Sequence, residues 1–172
     1  MKICIIGFSG CGKSTLAKFL GEAYSVPVLY CDSIHFLPNW KERCKQDEER
    51  IMQEFLDAND SWVIDGNYTS TLFERRMREA DKIIFMNFNR LNCLIRAYKR
   101  YIANKGKVRD SMADGCEEKF DLEFFKWIML DSRSKKRTEK YRLVSADYHD
   151  KLIVIKNQHE LDKYINGVKA GQ

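Results

Sequence analysis

Gly7-Phe8-Ser9-Gly10-Cys11-Gly12-Lys13-Ser14 fits the pattern G-x-x-x-x-G-K-[ST] at every defined position. It follows Lys2-Ile3-Cys4-Ile5-Ile6, a short apolar run with the β-branched content of a buried strand. It precedes Lys13 to Tyr24, where Leu16, Phe19, Leu20 and Ala23 recur at helical spacing. Strand, glycine-rich loop and helix in that order form a phosphate cradle: glycines let successive N–H groups turn inward, and the helix start adds partial positive charge. Residues Gly7, Ser9, Gly10, Cys11, Gly12, Lys13 and Ser14 are therefore expected around a nucleoside triphosphate, ATP or GTP. Lys13 is expected to reach the β and γ phosphates, and Ser14 to ligate Mg2+. A dinucleotide fingerprint would need G-x-G-x-x-G, and the glycines here do not have that spacing.

Working outward from the loop, apolar runs alternate with helical patterns. Further strands are expected over Pro27–Cys31, Ser61–Ile64, Lys82–Phe88 and Lys151–Lys156. Helices are expected over Lys41–Ala58, Thr71–Arg78, Arg90–Ala103, a long stretch from Glu117 to Ala146, and Gln158–Ile165, with an aromatic loop at Ser33–Trp40. The pattern predicts a three-layer α/β/α fold around a parallel sheet of about five strands, with ligands at the carboxyl ends of the strands. The 172 residues suit a single domain. The polar segment around 104–118 holds little apolar material to pin it and is expected to be a mobile lid.

Hydrophobic residues at 44% and charged residues at 32% fit a folded soluble chain and exclude extensive disorder. No export signal and no apolar stretch near the roughly 20 residues of a membrane span is visible, so a cytoplasmic protein is expected. The six cysteines lack Cys-x-x-Cys and zinc-ligand spacing and read as free thiols. The net charge of +5 is uneven: Arg90 to Arg142 holds 15 Lys and Arg against 8 Asp and Glu.

Two carboxylates close expected strands, Asp32 and Asp65. One is expected to orient Mg2+ through water, the other to accept the proton of an attacking hydroxyl. His35, Phe36 and Trp40 after Asp32, with Asn67 and Tyr68 after Asp65, are expected to line an acceptor pocket of mixed polar and aromatic character. Arg96 and Arg100 are four apart, and Arg133, Lys136, Arg137 and Lys140 follow 3 and 4 spacing, so each set forms a cationic stripe on a helix. The stripes either close over the transferring phosphoryl group or face solvent.

These residues resemble the adenylate kinase and shikimate kinase group. More narrowly, nearly the whole chain resembles the DNA topology modulation (FlaR-like) family of P-loop proteins. That likeness rests on Gly7 to Thr15, His35-Phe36-Leu37-Pro38, Trp62-Val63-Ile64-Asp65-Gly66-Asn67-Tyr68, Phe73-Glu74-Arg75-Arg76 and Lys119-Phe120-Asp121-Leu122. It implies ATP and Mg2+ at Gly10, Gly12, Lys13, Ser14 and Thr15, and lid arginines at Arg96, Arg100, Arg133 and Arg137. In nucleoside monophosphate kinases the Asp-Gly runs on into Phe-Pro-Arg, whose arginine grips the acceptor phosphate; here it runs into Asn67-Tyr68-Thr69.

The expected activity is transfer of the ATP γ-phosphoryl group to a small nucleotide-like or hydroxylated acceptor. The alternatives are an ATP-dependent regulatory or nucleic-acid-binding protein acting on DNA topology, and an ATPase. No DNA-reading motif accompanies the basic region.

Overall fold

The computed structural model describes residues 1–171. Strand β1 (Lys2–Gly7) lies at the centre, with Ile3, Cys4, Ile5 and Ile6 at most 1% exposed. A strand apolar on successive residues is covered on both faces, which a parallel sheet flanked by helices provides. Helix α1 (Lys13–Tyr24) turns Leu16, Ala17, Leu20 and Gly21 inward. It is followed by β2 (Val28–Tyr30), a one-turn helix α2 (Cys31–His35), and the short strands β3 (Phe36–Leu37) and β4 (Lys41–Glu42) around a 3-10 turn at Pro38–Trp40. Next come α3 (Lys45–Ala58), β5 (Trp62–Asp65), α4 (Phe73–Glu79) and β6 (Lys82–Met86). Helix α5 (Arg90–Asn104), a link, α6 (Leu122–Met129), a 3-10 turn at Asp131–Arg133 and α7 (Lys135–Asp147) lead to β7 (Leu152–Ile155) and α8 (Gln158–Ala170).

The five-stranded sheet has the order β2-β5-β1-β6-β7 and is wholly parallel, with Ile3 opposite Val63, Ile5 opposite Ile84, Leu29 opposite Ile64 and Ile84 opposite Ile153. Helices cover it, and the expected three-layer α/β/α arrangement is what forms. Because the chain leaves β1 toward one edge and later returns to its other side, the crevice at the carboxyl ends of the central strands receives the phosphate loop, Asp32 and Asp65. The β3–β4 pair is a separate antiparallel unit.

Several elements differ from the sequence reading. The expected helix over Lys41–Ala58 begins at Lys45, because Lys41 and Glu42 pair with Leu37 and Phe36. The expected aromatic loop holds a helical turn, this hairpin, and positive φ angles at Asn39 and Trp40. The stretch Glu117–Ala146 is not one helix: Glu117 and Glu118 form isolated bridges to Val108 and Lys105, Asp121 caps α6 through Phe124 N–H at 2.7 Å, and the 3-10 turn separates α6 from α7. Asp and Ser at caps compete with helix continuation, which periodicity alone does not register. Helix α8 runs on past Ile165 to Ala170.

Candidate active site

The phosphate loop is closed by its own backbone, with Cys11 N–H donating to the Phe8 carbonyl at 3.3 Å. Gly10 and Gly12 have φ of 81° and 98°, the left-handed region in which a side chain is strained. A Cβ on Gly10 would strike the Cys93 carbonyl of α5, and one on Gly12 would lie 2.5 Å from Arg96 Nη2. Gly12 is the N-cap of α1 and no side chain caps that end, so the first-turn N–H groups stay available to an anion. Lys13 Nζ donates to the Phe8 carbonyl at 3.3 Å, folded back along the loop. Burial works against its charge, but Cys11, Asp65 and Asp32 outweigh that and hold its pKa above the ordinary lysine value.

Ser14 Oγ donates to Asp65 Oδ2 at 2.6 Å. Asp65 is 5% exposed, and its Oδ1 has no hydrogen-bond partner among the described residues. Burial pushes its carboxyl up, Lys13 pulls it down and Asp32 pushes it up again, for a net rise. Asp32 stands in the turn of α2, where its Oδ1 accepts from Tyr68 Oη at 2.7 Å. The two strand-end carboxylates are thus divided: Asp65 faces the loop serine, and Asp32 faces the aromatic wall.

That wall is a connected set. The His35 ring lies 4.2 Å from that of Tyr68 and 4.6 Å from that of Phe36, and Phe36 meets Trp40 edge-on at 5.2 Å. His35 Nδ1 is 2.8 Å from Glu48 Oε1, and Ser70 Oγ donates to Glu48 Oε2 at 2.5 Å. Asn67 faces the loop instead: its Oδ1 accepts from Gly7 N–H at 3.0 Å and its Nδ2 donates to the Gly7 carbonyl at 2.6 Å. Beneath this segment the wholly buried Arg76 guanidinium donates to Tyr68 O at 3.0 Å, Gly66 O at 3.3 Å and Thr71 Oγ1 at 2.9 Å. It shapes the turn that carries Asn67 and Tyr68.

Three of the four arginines of the two stripes, Arg96, Arg133 and Arg137, gather around the loop. Arg96 lies over Phe88 at 5.0 Å, beside Gly12, and donates to Gln158. Arg133 lies 3.6 Å over Phe8 and donates to the Phe88 carbonyl, and Arg137 lies 4.4 Å over Trp127. Trp127 in turn donates to Ser9 Oγ at 2.9 Å. A small pocket between Ser9, Asn67, Arg137 and Lys140 opens at this point. A wider groove between β7 and α8, lined by Ile153, Tyr164 and Val168, lies away from the loop and its chemistry. Thr15 is exposed on the first turn of α1, and Lys136 is exposed on α7.

Arg100 is placed differently. Its guanidinium meets the buried Glu118 at 2.7 Å, and Arg109 pairs with the same carboxylate. The segment expected to be a lid lies against the β3–β4 hairpin, with Asn39 N–H donating to Gly115 O at 3.3 Å, Cys116 Sγ to Leu37 O at 3.3 Å, and Lys119 4.9 Å over Trp40. Cys11 is fully buried, and burial pushes its thiol up to about 11, against the pull of Lys13.

Glu48, Arg109, Glu118 and Trp127 were not singled out from sequence. Glu48 left a readable signal, because it shares the i, i+4, i+8 face of α3 with Met52 and Leu56, where a carboxylate needs a partner. Arg109 and Glu118 left none, since their link has no period. Among the described residues no group of three His, Cys, Asp or Glu side chains is placed to hold a metal. No helix among them is long and apolar enough to cross a membrane.

No family model matches the chain, and no curated protein matches it. Solved structures do. Deoxyadenosine kinase from M. mycoides with bound dATP aligns at a TM-score of 0.55 and 13% identity, over 98% of this chain and 100% of that one. The same kinase with products dCMP and a flexible dCDP bound aligns at 0.51 and 13%, over the whole of both chains. A gluconokinase from Sinorhizobium meliloti 1021 aligns at 0.48 and 14%, over 99% of this chain and 90% of that one. At these identities the likeness to the deoxyadenosine kinase is one of fold alone, a three-layer α/β/α P-loop fold.

Proposed function

We propose that the protein transfers the γ-phosphoryl group of ATP to a hydroxyl of a small acceptor held against the aromatic wall of His35, Phe36, Trp40 and Tyr68. The observation that carries this reading is the division of the carboxylates, Asp65 on Ser14 and Asp32 on Tyr68, both near enough to Lys13 to favour its charge. An ATPase needs only the first side. A transferase needs both, because the acceptor must be oriented and deprotonated while the triphosphate is held.

The residues present fit Mg2+. Ser14 Oγ and the unpartnered Asp65 Oδ1 supply hard oxygen ligands, directly or through water, and Mg2+ commonly takes only one or two protein ligands beside phosphate. The ion supplies charge neutralisation between the phosphates when bound. The loop N–H groups and Lys13 hold the β and γ phosphates. Asp32 accepts the hydroxyl proton of the acceptor, and Tyr68 keeps its carboxylate aimed. Arg96, Arg133 and Arg137 stand where charge develops on the transferring group.

A neighbour in fold is a deoxyadenosine kinase, and the aromatic wall of His35, Tyr68, Phe36 and Trp40 supports an acceptor with a planar ring. The inward engagement of Arg96, Arg100 and Arg133 leaves the nucleic-acid reading with less support, because those charges are withdrawn from a flat external surface.

The test is incubation with ATP, Mg2+ and a panel of nucleosides and hydroxylated metabolites, following ADP and new phosphorylated mass. Lys13→Ala is expected to abolish ATP binding. Asp32→Asn is expected to keep ATP binding and lose phosphorylated product by about a hundredfold or more. Acceptor phosphorylation at full rate in Asp32→Asn would overturn the assignment of the base, and ATP consumption without a phosphorylated acceptor across the panel would favour hydrolysis.

A further inference from the structure

Helix α5 has two faces of different use. Its inner face carries Cys93 and Ala97, both fully buried, with Arg96 beside Gly12 and Arg100 on Glu118. Its outer face exposes Leu91 at 63%, Ile95 at 51%, Tyr98 at 51% and Ile102 at 58%. These four follow 4, 3, 4 spacing, the seam of an antiparallel or parallel helix pair, and no charged residue interrupts it. Helix α6 packs beside α5, and its own Leu122 and Phe125 are exposed at 69% and 38%.

A solvated helix face normally reads as charged, and isolated exposed leucines need no explanation, but a continuous stripe does. At roughly 150–200 Å² of accessible surface for a large apolar residue, the exposed fractions of the four α5 residues leave on the order of 330–450 Å² of apolar area on each chain. A standard interface buries roughly 800 Å² per partner, of which about 65% is apolar in homodimers, and that amounts to roughly 520 Å². The α5 stripe alone supplies most of the apolar area one protomer of a dimer contributes.

We propose that this face is covered by a second copy of the chain, α5 against α5 about a two-fold axis near Ile95 and Tyr98. The stripe is self-complementary when the helices run antiparallel: Leu91 then faces Ile102, and Ile95 faces Tyr98. The flanking positions Asn92 and Lys99 then face each other across the pair, a neutral amide against a cation. The dimer braces the helix whose other face touches the phosphate loop through the Cys93 carbonyl beside Gly10. The inference stands independently of the phosphotransfer reading.

Sedimentation velocity and light scattering on the purified chain, across micromolar concentrations, test it. The expected result is twice the mass of one chain. Ile95→Glu with Ile102→Glu places four carboxylates in the seam and is expected to weaken association by about a hundredfold or more, with an unchanged circular dichroism spectrum because both positions are exposed. A wild-type chain that stays monomeric overturns the proposal. So does a dimer that persists in the double variant, which would lie on another face, and so does a monomer that co-sediments with anionic lipid vesicles through this stripe.

Discussion

Asn67→Ala is the most direct test of how the phosphate loop is held. The two hydrogen bonds from Asn67 to Gly7, at 3.0 Å and 2.6 Å, join the turn after β5 to the end of β1 across 60 residues of chain. Each contributes about 1 kcal/mol net, and removal leaves the N–H and C=O of the buried Gly7 satisfied by water only in part, so the expected cost is roughly 2–3 kcal/mol. With a urea m-value of about 2–3 kcal/mol/M, the unfolding midpoint should fall by about 1 M with an unchanged slope. The loop also loses preorganisation, and ATP affinity by titration calorimetry should fall about tenfold, equal to about 1.4 kcal/mol. Asn67→Asp separates geometry from volume. It keeps the acceptor for Gly7 N–H but sets a carboxylate oxygen against the Gly7 carbonyl, so it should be less stable at neutral than at mildly acidic pH, where protonation restores a donor. An Asn67→Ala variant with wild-type midpoint and wild-type ATP affinity would refute the view that this clasp holds the loop.

Lys140 donates to Asn67 O at 2.8 Å and lies 3.5 Å over Phe73; burial, then Arg76 and Arg137, lower its pKa to about 8. Its folded pKa is below its unfolded value, so the unfolded chain holds the extra proton between about pH 8 and about pH 10.5, and stability rises with pH through that window. Lys140→Met should therefore be more stable than wild type near pH 7, by of order 1–2 kcal/mol after discounting for partial solvation, with the gap closing toward pH 10; a pH-independent gap in urea midpoints would exclude the titration. Glu48 faces His35 Nδ1 and Ser70 at once, and a carboxylate there can only accept, so it sets an N–H on Nδ1. Nitrogen-15 spectra of the three histidines should show His35 as the Nδ1–H form in wild type and a mixed form in Glu48→Gln, and identical spectra would show that Glu48 does not set it.

The sequence by itself determined the strand-loop-helix unit at Lys2–Tyr24, because G-x-x-x-x-G-K-[ST] constrains backbone shape residue by residue and its flanks have clear period. It also determined the parallel α/β class, since unbroken apolar runs such as Ile3–Ile6 and Trp62–Ile64 can be covered only from both faces. Element ends were less legible. The break of 117–146 into a bridge, α6, a 3-10 turn and α7 depends on local caps and on pairing of Glu117 and Glu118 with Val108 and Lys105, which helical spacing does not encode. Tertiary structure alone decided which polar residues meet. Asn67 and Tyr68 are adjacent in sequence, yet one clasps Gly7 and the other holds Asp32. Arg96 and Arg100 share one helix face, yet one reaches the loop and the other pairs with Glu118. Hydrogen bonds and ion pairs are short-ranged and directional, so a residue's partner is fixed by where the packed core sets the neighbouring element. Periodicity carries the information that builds the core, and no comparable pattern in the chain carries the pairing.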